Sequence, residues 1–173
     1  MHVIEPAASG RAKCRGCSQP IAKGELRFGE RLPNPYGDGE MTLWFHLPCG
    51  AYKRPEPFLE ILDSTEATID DKASLESKAE FGLAHRRLPR LDKTEQAPTG
   101  RARCRSCKEA IAKKTWRISL VYYEEGRFEP SGFIHAGCAK EYFETTDIMD
   151  RVQHFSPALD ASALESIKET VKV

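Results

Sequence analysis

The chain carries no excess charge of either sign: 26 Lys and Arg stand against 26 Asp and Glu in 173 residues. That excludes a uniformly basic coat for DNA, so charge has to be read locally. Long apolar runs are missing too, and none approaches the ~20 residues that a membrane span needs. The opening Met1-His-Val-Ile-Glu-Pro6 lacks the charged and apolar regions of a secretory signal. The expectation is a soluble chain in a reducing compartment, where thiols bind metal more often than they pair as disulfides. Cysteine is scarce as well, and all six cysteines fall into two matched patterns.

The first pattern is Cys14-Arg-Gly-Cys17, then 28 residues, then His46-Leu-Pro-Cys49. The second is Cys104-Arg-Ser-Cys107, then 27 residues, then His135-Ala-Gly-Cys138. Three thiols and one imidazole complete a tetrahedral shell for Zn²⁺, so Cys14, Cys17, His46, Cys49 and Cys104, Cys107, His135, Cys138 are read as ligands of two zinc ions. A lone Cys-x-x-Cys is weak, because redox pairs share it, but here each is matched downstream by His-x-x-Cys. Three cysteines per set cannot all pair within it as disulfides. A closed shell leaves no position for water or substrate, which argues against catalytic zinc. Nor does Pro48-Cys49-Gly-Ala-Tyr52 fit the Pro-Cys-x-x-Cys of zinc deaminases. His2, His85 and His154 are read as surface or packing residues.

Sliding the sequence by 90 residues lays Arg11-Ala-Lys-Cys-Arg-Gly-Cys17 on Arg101-Ala-Arg-Cys-Arg-Ser-Cys107, and Arg27 on Arg117. After one deletion the offset is 89, and His46, Cys49 and Leu75 fall on His135, Cys138 and Leu164. Each repeat is roughly 75–80 residues, small enough to need a metal staple. The reading is therefore α+β: two small zinc-stapled modules, each a short antiparallel sheet with short helices. Their expected bounds are 1–87 and 101–173, joined by a flexible linker, 88–100, with two prolines and no period.

Within the first module, Glu25 to Arg31 alternates like a half-buried strand and Met41 to Phe45 returns to His46. A helix near Cys49 is expected to end at Pro55 and Pro57. Another, about Asp71 to Arg86, is expected to bury Leu75, Ala79 and Leu83. In the second module Trp116 to Tyr123 and Arg127 to Phe133 are the strands, Glu124-Glu-Gly126 the turn. Ser162-Ala-Leu-Glu165 reads as the capping box of the last helix.

Zero net charge is the sum of unlike regions. Arg11 to Arg31 holds six basic residues and two acids, and Arg101 to Arg117 holds seven and one. Glu56 to Glu80 holds eight acids and two lysines. A charge run is usually a solvated face, but a basic cluster beside both metal sets fits phosphate neutralisation, which is independent of sequence and sensitive to salt. Tyr36 and Met41 lie in a Gly/Pro-rich loop, and Tyr123 and Phe128 flank the equivalent loop. They either cap a small core or stack on bases exposed where a duplex is interrupted.

Gly10-Arg-Ala-Lys-Cys-Arg-Gly-Cys17, Ile21-Ala-Lys-Gly-Glu-Leu-Arg27 and Trp44-Phe-His-Leu-Pro-Cys49 together resemble the PARP-type zinc finger of poly(ADP-ribose) polymerases and a eukaryotic DNA ligase. Gly100 to Cys107, Ile111-Ala-Lys113, Trp116-Arg117 and His135-Ala-Gly-Cys138 are similar to a second copy. The resemblance implies a sensor of DNA ends, nicks or gaps. It assigns phosphate contacts to Arg11, Arg27, Arg101 and Arg117, and base stacking to Met41 and Tyr36. The second copy departs from the pattern, with Phe133-Ile134 before His135 and Pro130 where Met41 would stand; Phe128 is taken as its stacking residue. No Lys-x-Asp-Gly of ligases is present, and two modules leave no room for a transferase domain. The expectation is a non-enzymatic, monomeric DNA binder that takes no small-molecule substrate and resides with the DNA, in a nucleus or a bacterial nucleoid. The competing reading is a zinc-stabilised adaptor that docks proteins through its acidic flank.

Overall fold

A computed structural model describes residues 1–172. The chain divides into two compact units, Met1–Ala84 and His85–Val173. In the first, β1 (Val3–Pro6), β2 (Leu26–Pro33) and β3 (Glu40–His46) form an antiparallel sheet in that order. Helices α1 (Leu47–Lys53), α2 (Pro55–Ser64) and α3 (Lys72–Ala84) follow. In the second, β4 (Leu91–Gln96), β5 (Trp116–Glu124) and β6 (Arg127–His135) form the equivalent sheet. A short 3-10 turn at Ala136–Cys138 then leads to α4 (Ala139–Phe143), α5 (Met149–Phe155) and α6 (Ala161–Lys172). The α+β class and two zinc-module architecture are as the sequence implies.

The first core is aromatic. Phe28 of β2 stacks on Phe45 of β3 at 5.7 Å and meets Phe58 of α2 edge-on at 5.3 Å, a geometry that adds to area burial. Gly50 of α1 lies so close that a Cβ there would sit 2.6 Å from Phe28 Cδ2. The second core is mostly aliphatic, with Ile118, Leu120, Ile134, Ile148 and Val152 all at most 1% exposed.

Several details differ from the sequence expectation. Pro55 ends α1 but opens α2 rather than a loop, because a proline at a first turn loses no hydrogen bond and its fixed φ suits a helix. In α3, Leu75, Ala79 and Gly82 are buried while Leu83 is 49% exposed. At about 100° per residue, position 82 returns to the face of Leu75 and position 83 overshoots it. The last helix starts two residues early: Asp160, not Ser162, caps it, with Oδ1 accepting the Ala163 N–H at 2.8 Å. The stretch read as a flexible linker, 88–100, contains a 3-10 turn at Leu88–Arg90 and strand β4. β4 pairs with β5 through Thr94↔Ile118 and Glu95↔Arg117, so tertiary pairing overrides its polar composition.

Candidate metal centres and nucleic-acid interface

Both metal sets are assembled from a knuckle, the end of a hairpin strand and the turn that follows it. In the first knuckle Cys14 N–H bonds Gln19 O and Ser18 N–H bonds Cys14 O, each at 2.8 Å. In the second, Cys104 N–H bonds Glu109 O and Lys108 N–H bonds Cys104 O at 2.8 and 2.9 Å. Ser18 and Lys108 take the left-handed conformation at φ 65° and 70°, which turns the chain back after the cysteine pair. His46 and His135 end β3 and β6, and Cys49 and Cys138 lie three residues on.

The four ligand atoms of each set lie within 4.8 Å of one another. His46 Nδ1 is 3.3 Å from Cys17 Sγ and 3.9 Å from Cys49 Sγ. His135 Nδ1 is 3.4 Å from Cys107 Sγ and 3.8 Å from Cys138 Sγ. Tetrahedral zinc with bonds of ~2.3 Å to sulfur and ~2.0 Å to nitrogen has sulfur–nitrogen edges of roughly 3.5 Å. The other ring nitrogens settle the tautomer: His46 Nε2–H donates to Pro20 O at 3.1 Å and His135 Nε2–H to Ala110 O at 3.2 Å. Nδ1 is left as the ligand, held in orientation from behind.

The thiols also need a cation. Hydrogen bonding from Cys14 and then Cys49 drives Cys17 far below the ordinary thiol range, while contacts with Cys14 and then Cys17 push Cys49 far above it. In the second set burial works to raise Cys104, but the N–H groups of Cys107, His135 and Ser106 bring it down to about 6. Burial and then the Cys104 charge push Cys138 up to about 12. Three thiolates this close repel one another, and a dication removes that penalty. The donor set and charge demand are those of zinc, and the two groups bind two zinc ions.

Arg11 and Arg101 are exposed, with backbone N–H groups on Ser9 Oγ and Thr99 Oγ1, both at 3.4 Å. Arg27 and Arg117 stand opposite His46 and His135 in the sheets but are only 8% and 7% exposed. The Arg27 guanidinium lies 3.5 Å over the Trp44 ring and reaches Glu5 at 3.5 Å. That of Arg117 lies 3.7 Å over Phe133 and reaches Glu95 at 2.7 Å. The sequence reading missed Glu5 and Glu95. The 90-residue offset superposes them, along with Ala7 on Ala97 and Gly10 on Gly100, and so carried the signal.

The loops differ. Tyr36 sits 74% exposed between β2 and β3, with Asn34 Oδ1 accepting its N–H at 3.0 Å. Met41 is half-buried on β3 opposite Leu32. In the second unit the turn is tight, with Glu125 and Gly126 at φ 50° and 83°, the primed geometry that suits a twisted hairpin. Phe128 is half-buried and packs on Tyr123, its cross-strand partner, at 5.1 Å, so the most exposed aromatic there is Tyr122, at 47%. No helix among the described residues is long and apolar enough to cross a membrane.

Fold and sites define a tandem pair of zinc-stapled α+β modules. Residues 5–80 match the zinc-finger region of poly(ADP-ribose) polymerase and DNA ligase. This match covers the first unit, and the second metal group supports a tandem pair. Poly [ADP-ribose] polymerase 1 of Oryza sativa subsp. japonica is 28% identical over 79% of this chain, and that of Gallus gallus 32% over 66%. The chain spans 14% and 13% of their lengths. Polynucleotide 3'-phosphatase ZDP of Arabidopsis thaliana is 24% identical over 89% of this chain and 26% of its own length.

Proposed function

We propose that the chain is a non-enzymatic, zinc-dependent binder of DNA strand breaks, recognising ends, nicks or gaps without reading sequence. Arg11, Arg27, Arg101 and Arg117 grip phosphates, and Tyr36 and Met41 stack on the base pair a break exposes. Phe128 is the stacking candidate of finger 2. The observation that carries this reading is Tyr36, held 74% exposed at the tip of a hairpin loop whose module matches the family. A large aromatic presented to solvent on a module that also carries the basic Arg11–Arg31 stretch is suited to a π-face that only an interrupted duplex offers. The similarity to enzymes lies over the finger region, so their chemistry is not carried over. The binder is taken as a monomer located with the DNA.

The test is fluorescence anisotropy of zinc-loaded chain on a closed DNA dumbbell and on the same dumbbell with one nick, each over a salt series. Tighter binding to the nicked form, with both affinities falling as salt rises, is the expected result. Equal binding overturns break recognition. Binding to neither overturns DNA recognition and leaves the adaptor reading, which the exposed acids Glu56, Glu60, Asp63 and Glu66 favour. Arg11→Ala with Arg101→Ala is the clean phosphate-grip variant, since Arg27 and Arg117 are packed into their sheets.

A further inference from the structure

The two buried arginines are not held alike. A guanidinium offers five N–H donors, and a charge this buried demands acceptors. In the second finger Glu95 Oε1 takes two of them, Arg117 Nη2–H at 2.7 Å and Nε–H at 3.2 Å. In the first, Glu5 Oε1 takes one, Arg27 Nη2–H at 3.5 Å, and Arg27 Nε is buried with no partner. Both carboxylates come from the first strand of their sheet, in register with the arginine, and are about half exposed, with side chains 44% and 49% accessible. An aromatic ring closes the opposite face of each guanidinium.

Resting on the phosphate-grip reading, we propose that Glu5 and Glu95 are built-in competitors for the phosphate. They set each finger's affinity, with Arg27 weakly held by Glu5 and Arg117 firmly held by Glu95. Carboxylate and phosphate oxygens make the same charge-assisted bonds to a guanidinium. A phosphate reaching Arg117 has to displace Glu95 from two hydrogen bonds. A phosphate reaching Arg27 displaces one long contact. Finger 1 is therefore the primary phosphate site, and finger 2 contributes its arginine only at the cost of its internal pair.

The test titrates the full zinc-loaded chain and three single variants against the nicked dumbbell over a salt series. Glu95→Gln is expected to bind about five- to tenfold more tightly, the net scale of one hydrogen bond. Its plot of log affinity against log salt should steepen by about 0.9, one more phosphate neutralised. Glu5→Gln should gain less. Glu109→Gln, which removes an exposed charge of the second knuckle, controls for net charge and should leave the slope alone. A Glu95→Gln no tighter than Glu109→Gln, or weaker than wild type, overturns the proposal and makes Glu95 an anchor that positions Arg117. If Glu95→Gln lowers the melting temperature, Glu95→Asp, which withdraws the carboxylate by one methylene, carries the test, and no gain from it overturns the proposal equally. Failure of wild type to bind removes the DNA reading itself, whereas wild-type binding without a Glu95→Gln gain removes only the competition.

Discussion

Behind the zinc of finger 1 stand aromatic and charged side chains; at the same repeat positions finger 2 has aliphatic ones and a phenylalanine. Phe28 corresponds to Ile118 and Gly50 to Ala139. The forked ion pair of Glu30 with Arg54, with both contacts at 2.7 Å, corresponds to buried Leu120 and Phe143. The metal shells are nearly superposable while their surroundings are not. Cys49 is buried within α1, whereas Cys107 is exposed and Cys138 half-buried. Tetrahedral chemistry fixes eight ligands and two carbonyl acceptors; everything else was free to vary as long as each core stayed filled.

The largest expected effect tests what the fingers share. Removing zinc forfeits folding free energy on the order of 10 kcal/mol per site. A strong chelator should abolish the cooperative melting of both fingers, and a chromogenic chelator should draw the finger 2 ion first, through its exposed thiol. Simultaneous release would break the comparison.

Next comes the buried ion pair. Arg54→Ala takes the forked partner from Glu30, only 1% exposed, and should cost about 3–5 kcal/mol in urea unfolding. Glu30→Leu with Arg54→Phe, the finger 2 solution, should recover most of it. A double variant as unstable as the single would show that the two cores are not interchangeable.

A smaller effect is expected at Gly50. Gly50→Ala places a Cβ against Phe28 and should cost about 1–3 kcal/mol by overpacking. Phe28→Ile, which brings in the finger 2 residue, should be less destabilising in the Gly50→Ala background than alone. A double-mutant cycle with no coupling would contradict that.

How far the sequence could be read follows the same division. The ligands were legible because zinc accepts few residue types at few spacings, and Tyr36 because a Gly/Pro-rich loop has nothing to bury it. β4 was not: Asp92-Lys-Thr-Glu-Gln96 is polar and becomes a strand only by pairing with β5. Strand β1, which brings Glu5 to Arg27, was hidden because its four residues, Val3–Pro6, are too few to show a period. Helix α2 was concealed by Pro55 and Pro57, which read as breakers although Pro55 sits in a first turn. The burial of Arg27 and Arg117 depends on ring and carboxylate partners from neighbouring strands, which no local pattern displays.

The central claim is that finger 1 reads the break. Its most direct test is the ratio of affinities for nicked and closed dumbbells in wild type, Tyr36→Ala and Phe128→Ala. Loss of one base stack is worth ~1–3 kcal/mol, so Tyr36→Ala should bring the ratio close to one while binding to the closed form is preserved. Phe128→Ala, at a half-buried ring packed on Tyr123, should lower the ratio less. An unchanged ratio in Tyr36→Ala, or an equal fall in both variants, would contradict the account.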